Sequence, residues 1–263
     1  MDLTLVAIII GIVEGITEFL PISSTGHLIV TEHLFNLNPE TFGLTFDLAL
    51  HIGTLFALLA FFRKDIQTII LDREKSSISI QAILVGTIPA AVIGLLLESI
   101  VEESLRDYRI VAVNLILFSA LLYWADRLSK KKKEGQSTIT LLQAFIIGCF
   151  QSIAIIPGVS RSGATIAGAM IVGKDRSDAS RFAFILSIPI ILLAAGKQGL
   201  DIVISGRVFS SSEILFFLVG TISSTITALI VLKWFMAYFR RAAFFPFIIY
   251  RILLAIAILL FIK

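Results

Sequence analysis

The sequence predicts an all-α polytopic membrane protein, and its composition and the lengths of its apolar segments support that prediction. Of the 263 residues, 57% are hydrophobic and only 16% are charged, whereas soluble domains are about one quarter charged and under half apolar. A helix needs about 20 residues to cross the hydrocarbon core of a bilayer. Six apolar segments are near this length and are the predicted transmembrane helices: Phe46–Phe62, Ile80–Leu97, Ile110–Trp124, Phe182–Ala195, Ile214–Leu232 and Phe244–Ile262.

Two further apolar stretches are each interrupted by a polar motif. They are Leu3–Val30 and Ile139–Val172. Six spans with alternating basic loops leave both ends of each broken stretch on one face of the membrane. We therefore predict two re-entrant helix–loop–helix hairpins in addition to the six spans.

The charges of the connecting loops predict the orientation. Lys and Arg gather in alternate loops, including the loop 126–137, and the positive-inside rule places these in the cytoplasm. The acidic loop 98–109 and the loop 196–213 then face outward, as do both termini. Such short basic loops do not indicate a nucleic-acid surface, so no nucleic-acid partner is expected. For the run Lys130–Lys133, a patch for anionic lipid or nucleic acid is the alternative interpretation.

An internal repeat organises the chain, which we predict to be a single membrane domain, residues 1–263. Residues 1–125 match residues 138–263 at a shift of 137 in the first broken stretch and slightly less further along. Each half holds one hairpin and three spans, so the halves must insert in opposite orientation. Chance similarity among apolar residues is the alternative, but matched glycines and serines argue against it: Gly11–Gly148, Ser23–Ser160, Gly26–Gly163 and Gly86–Gly220. An inverted repeat would bring the two polar breaks face to face near the middle of the bilayer.

The first break carries the motif EGITEFLPISSTGH, residues 14–27. Glu14 and Glu18 are four residues apart, so they share one face of a helix. A charge at the centre of a membrane helix costs about 2.5–3.5 kcal/mol, so the pair needs a wet cavity, a cation or a shared proton. Mg²⁺ takes one or two carboxylates together with substrate phosphates. The alternative is an interfacial pair in contact with headgroup water.

The remainder of this motif offers hydroxyls and an imidazole. Pro21 ends the first half-helix, so that Ser23, Ser24 and Thr25 can cap the next half-helix and contact a ligand. His27 lies just inside that second half-helix. A His beside a Ser is the minimal pair of base and nucleophile, although a lone membrane His is often a hydrogen-bonded packing residue.

The second break carries PGVSRSGAT, residues 157–165, and is predicted to bind an anion. Ser160 or Ser162 can cap the half-helix that follows, whose free N–H groups and positive dipole end attract negative charge. Arg161 adds a planar fork suited to phosphate oxygens; the alternative is an Arg that reaches to the interface. Together the two breaks indicate metal-assisted phosphoryl chemistry on a lipid-tailed anion.

Other polar or small residues within the apolar segments allow more than one interpretation. Asp47 and His51, four apart, could support the site or line the path of the lipid, or could make a buried hydrogen bond between helices. Arg251 is expected to be a structural ion pair or an interfacial anchor. Glycines and a proline of the second span are expected to allow close helix contact or a kink: Gly86, Pro89 and Gly94.

The two motifs, with the closing segment FFPFIIYR, resemble those of the undecaprenyl-diphosphatase family, also called bacitracin-resistance proteins, and the resemblance covers the whole chain. It implies a multi-pass enzyme of the bacterial inner membrane that converts undecaprenyl diphosphate to undecaprenyl phosphate, the carrier lipid for cell-wall polymers. It also implies a site open to the periplasmic or outer face, a requirement for Mg²⁺ or Ca²⁺, six spans with two hairpins as an inverted repeat, and often a homodimer.

The same resemblance assigns roles to individual residues. Glu14 and Glu18 correspond to the paired glutamates of metal binding and catalysis, and Ser24 and His27 to a nucleophile and its proton partner. Arg161, with its flanking serines, corresponds to the diphosphate-binding motif, so the expected substrate contacts are Ser23, Thr25, Ser160, Arg161 and Ser162. A transporter or flippase of polyprenyl-phosphate lipids is the rival function, because broken helices in inverted repeats are also the pattern of transporters.

Overall fold

A computed structural model describes residues 3–35, 44–72, 74, 76–104, 107–129, 138–239 and 243–261. Within these ranges the chain forms eleven α-helices and no β-strand. The lysine run at 130–133 and both chain ends lie outside the described residues. The helices are α1 (Leu3–Thr17), α2 (Ser24–Phe35), α3 (Leu44–Phe61), α4 (Arg63–Leu71), α5 (Ile80–Ser104), α6 (Tyr108–Ser129), α7 (Leu141–Ile153), α8 (Arg161–Ile171), α9 (Arg176–Ser205), α10 (Ser211–Phe239) and α11 (Phe245–Phe261).

The lengths of these helices confirm a multi-pass membrane protein. By length and composition, α5, α6, α9 and α10 can each cross a membrane, and α3 with α4 could form a fifth span that bends by 66°. The sixth predicted span corresponds to α11, which is apolar but has only 17 residues. Four or five candidate spans are therefore present among the described residues, while the count of six, the re-entrant hairpins and the inverted orientation stay predictions.

Both predicted breaks are present, and they share an unusual backbone. Ser23 precedes α2 with φ of 72°, and Ser160 precedes α8 with φ of 73°, a left-handed conformation that is uncommon outside glycine. Each serine hydroxyl accepts a hydrogen bond from the N–H three residues later, at Gly26 (3.4 Å) and Gly163 (3.2 Å). The two serines are matched by the 137-residue shift, so the same local structure recurs at the positions that the sequence repeat pairs.

Glycines allow two pairs of helices to approach closely. A methyl group on Gly11 of α1 would lie 2.6 Å from the carbonyl oxygen of Gly220 on α10. One on Gly148 of α7 would lie 2.2 Å from the carbonyl oxygen of Gly86 on α5. The expectation of close contact at Gly86 is therefore confirmed. Gly94 makes no such close contact, because a methyl group at that position would meet no atom of the described residues within 4 Å; a kink at this part of the span stays a prediction.

Arg251 of α11 holds the two breaks together. It is 1% exposed and donates hydrogen bonds of 3.1 Å to the carbonyl oxygens of Pro21 in the first break and of Gly158 and Val159 in the second. Its Nε donates to Leu115 on α6. The prediction of an ion pair or an interfacial anchor was wrong, because the guanidinium is buried and its contacts are backbone carbonyls and one hydroxyl among the described residues.

Ion pairs join the helices at one end of the bundle. Arg176, at the start of α9, donates to Asp126 near the end of α6 at 2.5 Å. Arg181, one turn further along, pairs with Asp65 at the start of α4. The backbone of Ile139, just before α7, bonds to Ser77, just before α5, at 3.3 Å. The starts of α5, α7 and α9 and the end of α6 therefore define one end of the molecule.

Candidate active site

A cluster of two carboxylates and an imidazole forms where α1 ends beside α3. Glu14 is fully buried and Glu18 is 6% exposed, and His51 Nε2 lies 3.5 Å from Glu14 Oε1 and 3.9 Å from Glu18 Oε2. One donor atom from each of the three residues lies within 4.8 Å of the others. His51 thus contacts the acidic pair, which was one of the alternatives that the sequence left open.

The Glu14 carboxylate is the main reason why the cluster could hold a cation. Among the described residues neither of its oxygens has a hydrogen-bond partner, and His51 Nε2 lies 3.5 Å away as an ion-pair contact. A buried carboxylate that accepts no hydrogen bond is costly unless a positive charge or a proton compensates it. The carboxylates fit Mg²⁺ or Ca²⁺, which prefer oxygen ligands, whereas the imidazole is a more usual ligand of transition metals.

Glu18 connects the two polar motifs. Its Oε1 accepts a hydrogen bond from Arg161 Nη2 in an ion pair, and its Oε2 accepts one from Ser24 Oγ at 2.6 Å. The residues at 18 and 24 belong to the first break and Arg161 opens α8 after the second. The structure therefore brings together the two motifs, as the repeat predicted.

Both ring nitrogens of His27 lie at hydrogen-bond distance from groups other than the Ser24 hydroxyl. Its Nδ1 is 2.7 Å from the carbonyl oxygen of Ser23, and its Nε2 is 2.6 Å from the hydroxyl of Tyr250, whose ring stacks on the imidazole. A carbonyl oxygen only accepts, so Nδ1 carries a hydrogen and Nε2 of the neutral ring accepts from Tyr250. The role of His27 as the proton partner of Ser24 stays a prediction, since the group that hydrogen-bonds to Ser24 is Glu18.

The other predicted contact residues divide into two groups. Ser23 and Ser160 cap α2 and α8, and Ser162 donates to the carbonyl oxygen of Leu20 at 3.1 Å. These three hydroxyls hold the two breaks in shape. Thr25 and Arg161 instead line an open cavity, where a ligand can reach them.

This cavity has a volume of about 600 Å³ and has a polar and an apolar part. Arg161, His51 and Asp47 contribute to its polar wall, together with Gln151, which the sequence did not single out. A neutral amide in an apolar helix carries no charge to mark it, although Gln151 does stand 137 residues after Glu14. Side chains of α5 and α9 form the apolar wall: Ala90, Leu95, Val101, Ile190, Ile191 and Leu193.

The fold and the site together define a class of protein. It is a multi-pass helical membrane protein in which a buried group of acids, a hydroxyl and an arginine opens into a partly apolar cavity. Such a site suits an enzyme that acts on the anionic headgroup of a lipid, because the charges meet the headgroup and the apolar wall meets the chain.

Comparison with known proteins identifies the family. The family model described as bacitracin resistance protein BacA matches residues 7–257. The undecaprenyl-diphosphatase of Saccharophagus degradans is 41% identical over 257 residues, 94% of each chain. That of Thermodesulfovibrio yellowstonii is 41% identical over 260 residues, 99% of this chain and 98% of the relative, and that of Chromohalobacter salexigens is 38% identical over 263 residues, 96% and 97%. The chain belongs to the bacitracin-resistance protein family.

Proposed function

We propose that this protein hydrolyses undecaprenyl diphosphate to undecaprenyl phosphate and inorganic phosphate. The reaction returns the carrier lipid to cell-wall polymer synthesis and confers resistance to bacitracin, which binds the diphosphate. The observation that carries the proposal is the contact of Arg161 with Glu18, because it joins an anion-binding helix end to an acidic cluster within one site. The relatives that match nearly the whole chain are named undecaprenyl-diphosphatase.

Arg161 and the start of α8 bind the diphosphate in this proposal. The guanidinium has five N–H donors, so it can hold phosphate oxygens while it remains paired with Glu18. The first N–H groups of α8 add donors that the helix itself does not use. Ser160 and Ser162 keep this end in shape, and Thr25 faces the same cavity.

Ser24 and Glu18 perform the proton transfer. Ser24 Oγ donates to Glu18 Oε2 at 2.6 Å, so Glu18 can take the serine proton as the oxygen attacks the terminal phosphorus. The bond from that phosphorus to the bridging oxygen then breaks and undecaprenyl phosphate leaves; water subsequently releases inorganic phosphate from the serine. Direct attack by a water that Ser24 and Glu18 orient is the alternative. His27 is proposed to give or take a proton through its hydrogen bond to Tyr250.

Glu14 and Glu18 are the proposed ligands of a divalent ion, Mg²⁺ or Ca²⁺, with His51 as a third donor. When bound, such an ion neutralises the charge that develops on the transferred phosphoryl group. The Glu14 carboxylate, which accepts no hydrogen bond among the described residues, supports this assignment. Because Glu18 also holds Arg161 and Ser24, it fixes the metal-binding face relative to the anion-binding face.

The apolar wall between α5 and α9 is the proposed seat of the first isoprene units. It extends from the middle of both helices toward their later ends; Ile190, for instance, is 14 residues beyond the ion-paired Arg176, or about 20 Å along the helix axis. If the Lys- and Arg-rich loops are cytoplasmic, the cavity lies toward the opposite face. This supports a site open to the periplasmic or outer side of the inner membrane.

The finer architecture belongs to the same proposal. Six spans, two re-entrant hairpins and an inverted repeat of 1–125 and 138–263 are supported by the matched Ser23–Ser160 backbone and by the equivalent pairs Gly11–Gly220 and Gly148–Gly86. A homodimer is proposed from the family resemblance alone.

Phosphate release from purified protein tests the function. Undecaprenyl diphosphate in detergent with Mg²⁺ should yield inorganic phosphate, and the Arg161→Ala variant should show a strongly raised KM. The same preparation in vesicles separates the enzyme from a transporter. Translocation of a polyprenyl-phosphate lipid without any phosphate release, in the presence of Mg²⁺, would contradict the proposal.

A further inference from the structure

Gln151 has a buried amide that forms no hydrogen bond within the described part of the protein. It lies near the end of α7, is 3% exposed, and among the described residues neither its Nε2 nor its Oε1 has a hydrogen-bond partner. Buried polar groups are nearly always paired, because an unpaired one gives up its bonds to water. The neighbouring Ser152, by contrast, donates to the carbonyl oxygen of Cys149 at 2.8 Å.

The amide belongs to the same cavity as Arg161. The second break separates the two residues in sequence, yet both line the polar part of the wall. An Arg attracts an anion there, and an amide nitrogen is a donor that adds no charge. A phosphate oxygen is the ligand atom that both groups can bind together.

The internal repeat makes Gln151 the equivalent of Glu14 in the other half of the chain. Gln151 stands at the place in α7 that Glu14 occupies in α1, since the two residues are 137 positions apart. Both side chains are buried without hydrogen-bond partners among the described residues. The first half therefore directs a carboxylate toward the site, and the second half directs a neutral amide. A second carboxylate beside Arg161 would repel a diphosphate, whereas an amide can donate to it.

We propose that Gln151 is a substrate-binding residue whose Nε2 donates to a non-bridging oxygen of the diphosphate held by Arg161. Its Oε1 accepts from a protonated phosphate oxygen or from a bound water. The proposal rests on the proposed function, since it names a further contact of the same substrate. It assigns the two halves of the repeat different tasks: the first carries the acidic cluster and the second carries the donors for the anion.

The test is to replace Gln151 by the apolar residue of nearest shape. In Gln151→Met both hydrogen-bonding atoms are lost, so we expect the KM for undecaprenyl diphosphate to rise about tenfold or more, as for the loss of a hydrogen bond to a charged group. The ligand-free protein should unfold at the same or a higher temperature, because the substitution breaks no hydrogen bond among the described residues. Gln151→Glu should raise the KM further by charge repulsion.

Gln143→Met is the matched control on the same helix. Its amide is in use: Oε1 accepts from the N–H of Thr140 at 3.1 Å and Nε2 donates to the carbonyl oxygen of Val172 at 3.0 Å. This variant should unfold at a lower temperature and keep its KM. The two glutamines should thus show opposite effects on stability and on substrate affinity.

A KM for Gln151→Met within twofold of the wild-type value would overturn the proposal, as would a loss of folding, which would make the amide structural. Thermal stabilisation by inorganic diphosphate in excess Mg²⁺ provides a readout independent of turnover. We expect wild type to be stabilised more than Gln151→Met. If wild type is stabilised more than Gln151→Met but releases no phosphate from the lipid, the proposed hydrolysis fails while the assignment of Gln151 stands.

Discussion

The guanidinium of Arg161 donates to the carboxylate of Glu18, although 143 residues separate them in the chain. The other oxygen of the same carboxylate accepts from Ser24. Glu18 is therefore the residue at which an anion-binding group, a hydroxyl and the acidic cluster meet. Small changes at this carboxylate should affect substrate binding, proton transfer and metal binding together.

Glu18→Gln should reduce turnover by about 10²–10⁴-fold, the range that a positioned proton acceptor contributes. The amide keeps the shape of the side chain but cannot take the proton of Ser24. Ser24→Ala should reduce turnover by a comparable factor if Ser24 is the nucleophile, and the double variant should be little worse than either single one, because the two groups act as a unit. Phosphate release by purified protein in single-turnover conditions measures all three.

Substantial residual activity of Ser24→Ala would rule out a covalent role for that serine. It would leave the alternative in which Glu18 activates a water. A loss for the double variant equal to the product of the single losses would mean that the two groups act independently, against the hydrogen bond of 2.6 Å between them.

His51 should set the metal requirement. A chelator should abolish phosphate release, and His51→Ala should raise the Mg²⁺ concentration for half-maximal activity about tenfold, as losses of groups around a metal typically do, with most turnover restored at saturating metal. Binding of Mn²⁺, followed by its electron paramagnetic resonance, gives a readout apart from activity.

His27→Ala is the matched control, since that imidazole contacts Ser23 and Tyr250 instead of the acids, and its metal requirement should not change. An unaltered requirement in His51→Ala would exclude His51 as a donor.

Arg251 should be essential for stability. Arg251→Met leaves carbonyl oxygens of Pro21, Gly158 and Val159 buried without their donor, and each such loss costs about 1–3 kcal/mol. We expect the free energy of unfolding to fall by about 3 kcal/mol or more, measured by thermal or denaturant unfolding in detergent. Arg109→Met, at an exposed arginine, should leave it almost unchanged, as most surface substitutions do. Equal stability of the two variants would contradict the role of Arg251 as the link between the breaks.

The sequence predicted the parts of this site that depend on local patterns. Pro21 and Pro157 interrupt apolar runs, and this pattern predicted both breaks. The internal repeat predicted that the motif with Arg161 lies beside the motif with Glu18. The partners of Arg251 were not predictable, because its acceptors are backbone carbonyls and every residue has one.

Side-chain direction accounts for most of what sequence reasoning missed. His27 follows Ser24 by one helical turn, yet its ring turns to Tyr250 on α11, a contact that depends on how α2 packs. The sequence left three interpretations open for His51, and the packing of α3 against α1 places it beside Glu14. Gln151 is uncharged, so nothing in the sequence indicated that its buried side chain lines the cavity.

Gly148 should tolerate no side chain. In Gly148→Ala the new methyl group would lie 2.2 Å from the carbonyl oxygen of Gly86, so α5 and α7 must move apart. Overpacking of this kind costs about 1–3 kcal/mol, and thermal unfolding should detect it.

Gly199→Ala on α9 is the control, because its methyl group meets no described atom within 4 Å; it should be neutral or slightly stabilising, since alanine favours a helix. A variant at 148 as stable as the one at 199 would show that the two helices do not pack as described.

Gly94 should report where the lipid chain lies. It lines the apolar part of the cavity, and its Cβ position is open among the described residues, so Gly94→Phe should fill that space without disturbing the helix contacts. We expect a raised KM for undecaprenyl diphosphate, because the ring occupies the volume proposed for the first isoprene units. Inorganic diphosphate, which has no chain, should stabilise this variant against heat as well as it stabilises wild type.

Gly199→Phe introduces the same ring on α9 at a position that does not line the cavity, and its KM should stay at the wild-type value. If Gly94→Phe weakened the binding of inorganic diphosphate as much as that of the lipid, the ring would be acting on the headgroup site, and the chain would have to leave the cavity by another route.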